Sequence, residues 1–178
     1  MLSNSEKRVE KMNQKEKDEY WMKKALAEAE KAMSQGEHPI GCVIVAGNTE
    51  LTRGQTSVAR QESITAHGEL LALKSAGWKV FSAKRPLTIY TTLEPCLMCV
   101  GAAMQCGVDE IVFAMPAVPD GGTKHLKAIQ KNGDKVPKIR SGVLINEAIN
   151  LMKKDLVKNP NHPGLNYAKA LLKGLEKL

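Results

Sequence analysis

Between Tyr20 and Gly36 apolar residues recur at helical spacing, as Met22, Leu26, Ala29 and Met33, among alanine, lysine and glutamate. That stripe predicts a first helix with Gly36 as its stop. The short apolar run Ile40 to Ala46, closed by Gly47-Asn48, predicts a strand, and Leu51 to about Val58 returns beside it as a hairpin partner. Thr65 is placed to cap a helix from about Ala66 to Ser75, ended by Gly77. Leu87 to Thr92 is β-branched and aromatic, a strand by composition, and Pro95 opens a helix that carries Leu97 to Gln105 and stops at Gly107. Asp109 to Met115 reads as the next strand.

Pro116 to Gly122 reads as a loop, Thr123 to Lys131 as a short helix and Ile139 to Ile145 as a final strand. Asn146 then caps a helix through about Val157. Asn159 to Gly164 breaks the chain before a terminal helix ending near Leu178, whose Leu165, Ala168, Leu171, Leu172 and Leu175 form one apolar face. Helices alternating with strands indicate an α/β fold, a three-layer α/β/α sandwich whose mixed five-stranded sheet starts as an antiparallel hairpin and continues by crossovers. The expected division is a polar extension over residues 1–19, one domain over 20–158, and a C-terminal helix over 159–178 packed on it.

The first 13 residues alternate in charge without an apolar stripe, so they are expected to be frayed or to form a short exposed helical lead-in. No run of about 18 apolar residues is present, which predicts a soluble cytoplasmic protein without a membrane partner. With 178 residues, 43% of them hydrophobic, the chain can build a core without disulfides. In a reducing compartment its four cysteines are then ligands or buried thiols. The net charge of +7 is uneven: residues 1–37, 38–121 and 122–178 carry 0, −1 and +8. The C-terminal third is therefore either a surface that attracts a polyanion such as RNA or a solvated lysine-rich face.

Cys96 and Cys99 stand three residues apart at a predicted helix start, so both sulfurs project to one face of its first turn, and the helix N-terminus favours thiolates. C-x-x-C alone also fits a redox pair or half of a zinc ribbon. No second pair exists: Cys106 is about 10 Å farther along the helix, and Cys42 lies in an apolar strand. His67-Gly68-Glu69 upstream supplies a third ligand in His67. Two thiolates and one imidazole leave a tetrahedral zinc one open position, the arrangement of a catalytic site, with Glu69 free to act as a base.

These motifs, with Thr65-Ala66-His67-Gly68-Glu69, Thr92-Leu93-Glu94-Pro95-Cys96-Leu97-Met98-Cys99 and His38-Pro39-Ile40-Gly41, resemble the cytidine-deaminase-like superfamily of zinc deaminases. The resemblance covers about residues 20–156 and is strongest to the branch of guanine deaminases and bacterial tRNA adenosine deaminases. It implies one zinc per subunit, held by His67, Cys96 and Cys99. Glu69 then takes a proton from the attacking water and delivers protons to the ring nitrogen and the leaving ammonia. Candidate substrate contacts are Pro39, Ile40, Gly41, Ala66, Pro95 and Asp120, the last being either a reader of an exocyclic amine or an Asp-Gly turn residue. The resemblance also implies a homodimer.

Four features depart from the branch. Gly68 replaces the usual alanine between histidine and glutamate, Gln55-Thr56-Ser57 stands where an asparagine is usual, Ser63-Ile64-Thr65 replaces Asp-Pro-Thr, and Pro116 to Thr123 lacks the Gly-Ala-Ala-Gly-Ser-like stretch of the tRNA enzymes. These departures favour a purine or pyrimidine base or nucleoside as substrate. The alternatives are a tRNA adenosine deaminase converting the wobble adenosine to inosine, and a non-catalytic zinc-stabilised nucleic-acid-binding protein, against which the intact Glu69 argues.

Overall fold

A computed structural model describes residues 4–130, 135–162 and 164–176. Its elements, in chain order, are α1 (Asn4–Glu10), α2 (Gln14–Ser34), β1 (Gly41–Ala46), β2 (Thr49–Gln55), α3 (Gly68–Ala76), α4 (Lys79–Ser82), β3 (Leu87–Leu93), α5 (Leu97–Gln105) and β4 (Glu110–Met115). A 3₁₀ turn at Thr123–His125 leads into α6 (Leu126–Ile129), then β5 (Lys138–Ser141), α7 (Ile145–Lys158) and α8 (Leu165–Leu175). The sheet order is β2-β1-β3-β4-β5, with β1 antiparallel to both neighbours and β3, β4 and β5 parallel. The chain is thus α/β with a mixed five-stranded sheet.

Period-2 alternation divides the core between the two faces of the sheet. Val43, Val45, Tyr90, Val112 and Ala114 pack against α1, α2, α7 and α8, through Val9, Trp21, Met22, Met152 and Leu171. On the opposite face Cys42, Ile44, Ile89, Ile111 and Phe113 meet α3, α4 and α5, through Ala72, Leu73, Val80 and Ala103. Gly41 lets α2 cross the start of β1 closely, since a Cβ there would stand 2.2 Å from the Ala25 carbonyl oxygen.

Several element limits differ from the pattern-based expectation. Helix α2 begins at Gln14 rather than near Tyr20, because Asn13 and Glu16 form a capping box: each side chain accepts from the other's backbone N–H. The N-terminal stretch contains α1, whose Val9 is 1% exposed and anchors it to the core. Thr65 does not cap α3; its hydroxyl pairs with Ser63, and His67 takes the N-cap position. Leu144, left-handed at φ 55°, precedes α7, so Asn146 lies inside that helix. Strand β5 is shorter than expected, ending at Ser141 before Gly142 at φ 81°. Lys131, the expected end of α6, lies outside the described residues, as does Leu178.

Arg140 does not belong to a free cationic surface. Its guanidinium donates to Asp18 at 2.7 and 3.0 Å and to Glu110 at 3.1 Å, and Tyr90 donates its hydroxyl to the same Asp18. Among the described residues no helix is long and apolar enough to cross a membrane.

Candidate metal and catalytic site

Two helix starts on one face of the sheet meet beyond the end of β3. His67 is the N-cap of α3 and Cys96 the N-cap of α5, both extended (φ −76°, ψ 147° and φ −67°, ψ 169°). Cys99 sits in the first turn of α5 and faces the same point. The Cys96 and Cys99 sulfurs are 3.7 Å apart, and His67 Nδ1 lies 3.7 Å from the first and 3.6 Å from the second. Tetrahedral zinc with bonds of about 2.3 Å to sulfur and about 2.0 Å to nitrogen separates its ligands by about 3.8 Å (S to S) and about 3.6 Å (S to N). The triangle therefore has the size that zinc requires, and among the described residues it is the group of three or more His, Cys, Asp or Glu able to hold a metal.

Protein charges alone leave this triangle half prepared. The hydrogen bond from Cys99 holds the Cys96 thiol down at about 4, assisted by His67, whereas the same pairing pushes Cys99 up, together with burial and the Glu69 charge. The bond to Cys96 raises His67. A divalent cation would displace the remaining proton, which makes metal affinity pH-dependent. Cys42 is fully buried and raised by that burial, and Cys106 ends α5. Neither belongs to the triangle.

Glu69, 3% exposed, stands in the first turn of α3. One carboxylate oxygen accepts from the Thr91 hydroxyl at 3.2 Å, and the other lies 3.7 Å from Cys99 Sγ. Burial raises its pKa, so proton uptake is easier than for an exposed glutamate. This is a carboxylate beside the metal triangle but outside it, as a proton carrier must be.

Gly68 has a packing reason. Helix α3 crosses β2 so closely that a Cβ on Gly54 would meet the Gly68 carbonyl at 2.3 Å, and a Cβ on Gly68 would approach Gln55 Cα at 3.3 Å. Two small residues at this crossing let His67 and Glu69 sit against the sheet end.

A cavity of about 470 Å³ opens over the triangle. His67, Glu69 and Cys96 form its floor, and Ile40, Thr56 and Asp120 are among its walls. Of the expected substrate contacts, Ile40 and Asp120 line it. Pro39, Gly41, Ala66 and Pro95 are not among its lining residues. Pro39 presents its carbonyl to the Thr92 hydroxyl, Gly41 its N–H to the same oxygen, Ala66 its carbonyl to Ser57, and Pro95 its carbonyl to Gly122. Asp120 is positioned by Glu94, whose carboxylate accepts from the Ala117 and Thr123 amides at 3.1 and 3.3 Å and from the Thr123 hydroxyl.

The C-terminal segment supplies a roof that the motif reading missed. His162, Gly164 and Tyr167 line the cavity, and Tyr167 donates its hydroxyl to Asp120 at 3.0 Å. The His162 ring stacks on His38 with centroids 3.9 Å apart. His38 donates Nδ1–H to the buried Asp155 at 3.0 Å, while His162 Nδ1 accepts from the Gly164 amide at 2.9 Å. Asn159 donates to the other Asp155 oxygen at 2.7 Å, so α7, the roof and the loop before β1 share one hub. In the sequence the available signal was a second His-Pro pair, His162-Pro163, beyond the deaminase-like segment, matching His38-Pro39 within it.

Residues 15–115 match the family model of the cytidine and deoxycytidylate deaminase zinc-binding region. Over 138 residues, 76% of this chain and 91% of the relative, the sequence is 35% identical to a tRNA-specific adenosine deaminase of Buchnera aphidicola subsp. Schizaphis graminum (strain Sg). Over 157 residues it is 30% identical to tRNA-specific adenosine deaminase 2 of Xenopus laevis, covering 80% and 89% of the two chains. A solved structure from work on A-to-I editing by tRNA:A34 deaminases superposes with a TM-score of 0.65 at 26% identity, over 74% of this chain and 98% of the other. A guanine deaminase from Nitrosomonas europaea shares the fold, with a TM-score of 0.64 at 18% identity over 88% and 94%.

Proposed function

The chain belongs to the cytidine and deoxycytidylate deaminase zinc-binding family, and from that membership we propose that it hydrolyses the exocyclic amine of adenosine in transfer RNA, giving inosine and ammonia. One observation carries the choice of substrate: the similarity to tRNA-specific adenosine deaminases extends over three quarters or more of this chain and about nine tenths of theirs. The departures at Gln55 to Ser57 and Ser63 to Thr65 weigh less than likeness over that length.

Zinc, when bound by His67, Cys96 and Cys99, supplies Lewis-acid activation of a water molecule. The rest of the work falls to the chain's own groups. Glu69 accepts one proton of the water and, being raised by burial, can deliver it to the ring nitrogen; it then takes the proton of the hydroxyl added to the ring carbon and delivers that one to the departing amine, so that both protons of water are placed. Thr91 holds one oxygen of that carboxylate through its hydroxyl. Ile40 offers an apolar wall to the base, and Asp120 an acceptor for a ring or amine N–H.

A second reading, a free base or nucleoside, is favoured by the roof, because His162, Gly164 and Tyr167 close a cavity sized for one nucleoside. Ammonia release and inosine formation measured with a transfer-RNA pool, adenosine, adenine, guanine and cytidine separate the two. Inosine in transfer RNA with free compounds inert supports the first reading; turnover of a free compound with transfer RNA inert replaces it by the second.

A further inference from the structure

At the end of α3 remote from the zinc triangle the chain turns two aromatic rings into solvent. Trp78 is 86% and Phe81 59% exposed, with ring centroids 5.7 Å apart and planes tilted by 41°. Val80 between them is 1% exposed, which pins α4 to the core and keeps both rings outside it. From Lys74 to Pro86 the sequence has four cationic and no acidic side chains. Arg85 is engaged with the Gly107 carbonyl and with Asp109. Lys74, Lys79 and Lys84 are exposed, and no ion pair of theirs is formed among the described residues.

Exposed rings in a stretch that carries four cations and no carboxylate are complementary to a polyanion with flat apolar faces. Unpaired RNA is that molecule: its bases stack on aromatic rings and its phosphates neutralise ammonium groups. We propose that Trp78 and Phe81, with Lys74, Lys79 and Lys84, form a stacking platform for an unpaired stretch of RNA, a second contact apart from the deaminase pocket. The proposal rests on the reading of this chain as an enzyme of transfer RNA. Nine residues of α3 at ~1.5 Å each separate the start of the platform from His67 and Glu69 by roughly 14 Å along the helix axis, a distance that a few unpaired nucleotides bridge.

The chain's two tryptophans make the test direct, because Trp21 is buried in the core and Trp78 is not. The full-length protein is titrated with a short single-stranded RNA and with transfer RNA, following tryptophan emission. Quenching that weakens with salt, and that disappears in Trp78→Ala, is expected. Trp78→Ala with Phe81→Ala should weaken RNA binding between about fivefold and a hundredfold, as loss of base stacking does. Zinc content and the thermal midpoint should stay unchanged. Lys79→Glu should weaken binding and flatten its salt dependence. Wild-type affinity in the double aromatic variant overturns the proposal. So does emission that changes with protein concentration alone while sedimentation shows dimers, which would assign the rings to a second copy of the chain. Inosine formed in transfer RNA with unchanged KM by the double variant leaves the substrate reading standing and removes the platform. RNA quenching of Trp78 without inosine formation does the reverse.

Discussion

The Thr91 hydroxyl, at the middle of the sheet, donates to Glu69 Oε1 at 3.2 Å and so ties this carboxylate to β3, beside the His67, Cys96 and Cys99 triangle. That bond favours the charged carboxylate, against the burial that raises its pKa. Thr91→Val keeps the shape and removes the donor. Glu69 should then rise further, so its basic form is reached only at higher pH and the acidic limb of the rate profile moves up. A buried bond of this kind is worth on the order of 1 kcal/mol, hence a fall in rate of up to about fivefold at neutral pH with zinc retained. A pH profile superposable on that of the native chain would assign Thr91 to packing alone.

The three-ligand triangle predicts about one zinc per chain. Cys96→Ala and Cys99→Ala should lose the metal and several degrees of thermal midpoint together, because ligation and folding are coupled. Cys42→Ala and Cys106→Ala should keep it. Metal analysis of the four purified variants decides, and loss from the second pair instead of the first overturns the ligand set.

Gly164 is where the roof rests on the catalytic domain. A Cβ there would lie 2.0 Å from His38 Nε2, so Gly164→Ala must push the roof from the imidazole stack. Overpacking of this sort costs ~1–3 kcal/mol. The variant should unfold at lower denaturant concentration and cleave more readily under protease near Asn159 to Leu165. If the roof excludes large substrates, it should also gain activity on RNA relative to a free nucleoside.

The mixed sheet with its antiparallel opening hairpin and the zinc triangle were legible in the sequence because each rests on a local signal: the apolar run Ile40 to Ala46 closed by Gly47-Asn48, β-branching in Leu87 to Thr92, ligand spacing at Cys96 and Cys99. What escaped depends on contacts distant in sequence. The capping box at Asn13 and Glu16 is a local signal that can be read, but Val9 joins the core only through packing with residues distant in sequence. Tyr167 was passed over on α8 because the helix was judged by its leucines, and its partner Asp120 lies 47 positions earlier. The Gly68 departure is matched by a tight approach to β2, where a Cβ would stand 3.3 Å from Gln55 Cα, a contact between segments that the sequence does not display. Arg140 shows the converse: counted as surface charge, it is consumed by Asp18 and Glu110.

Acid should loosen the roof. Burial, then the neighbouring His38, depresses the His162 pKa, so the folded chain favours the neutral ring. Unfolding then takes up a proton, and the stabilisation, complete above the unfolded value of about 6.5, is lost as pH falls through the folded value. Denaturant midpoints should drop between about pH 7 and pH 5. His162→Phe retains a ring over His38 without a titrating nitrogen, and should be less stable at pH 8, where it lacks the Gly164 bond, yet flatter towards acid. An equal slope in both proteins would exclude His162 as its source.

Glu69 stands two residues from His67 yet lies outside the triangle that His67 forms with the two cysteines. Its carboxylate is directed at Thr91 and towards Cys99 from within the first turn of α3, leaving the triangle of His67, Cys96 and Cys99 complete without it. Glu69→Gln preserves the volume and can still bond to Thr91, but it cannot carry protons between water, ring nitrogen and leaving amine. Metal binding and chemistry should therefore separate. General acid and base catalysis is commonly worth ~10²–10⁴ in rate, and a group serving several transfers belongs in the upper part of that range. The variant should hold a full complement of zinc and bind substrate with near-native affinity while single-turnover rates fall by about 10³ or more. Zinc content, substrate affinity and single-turnover rate measured on one preparation test all three statements. A near-native rate would transfer the proton work to another group, and loss of zinc would make Glu69 part of the metal site.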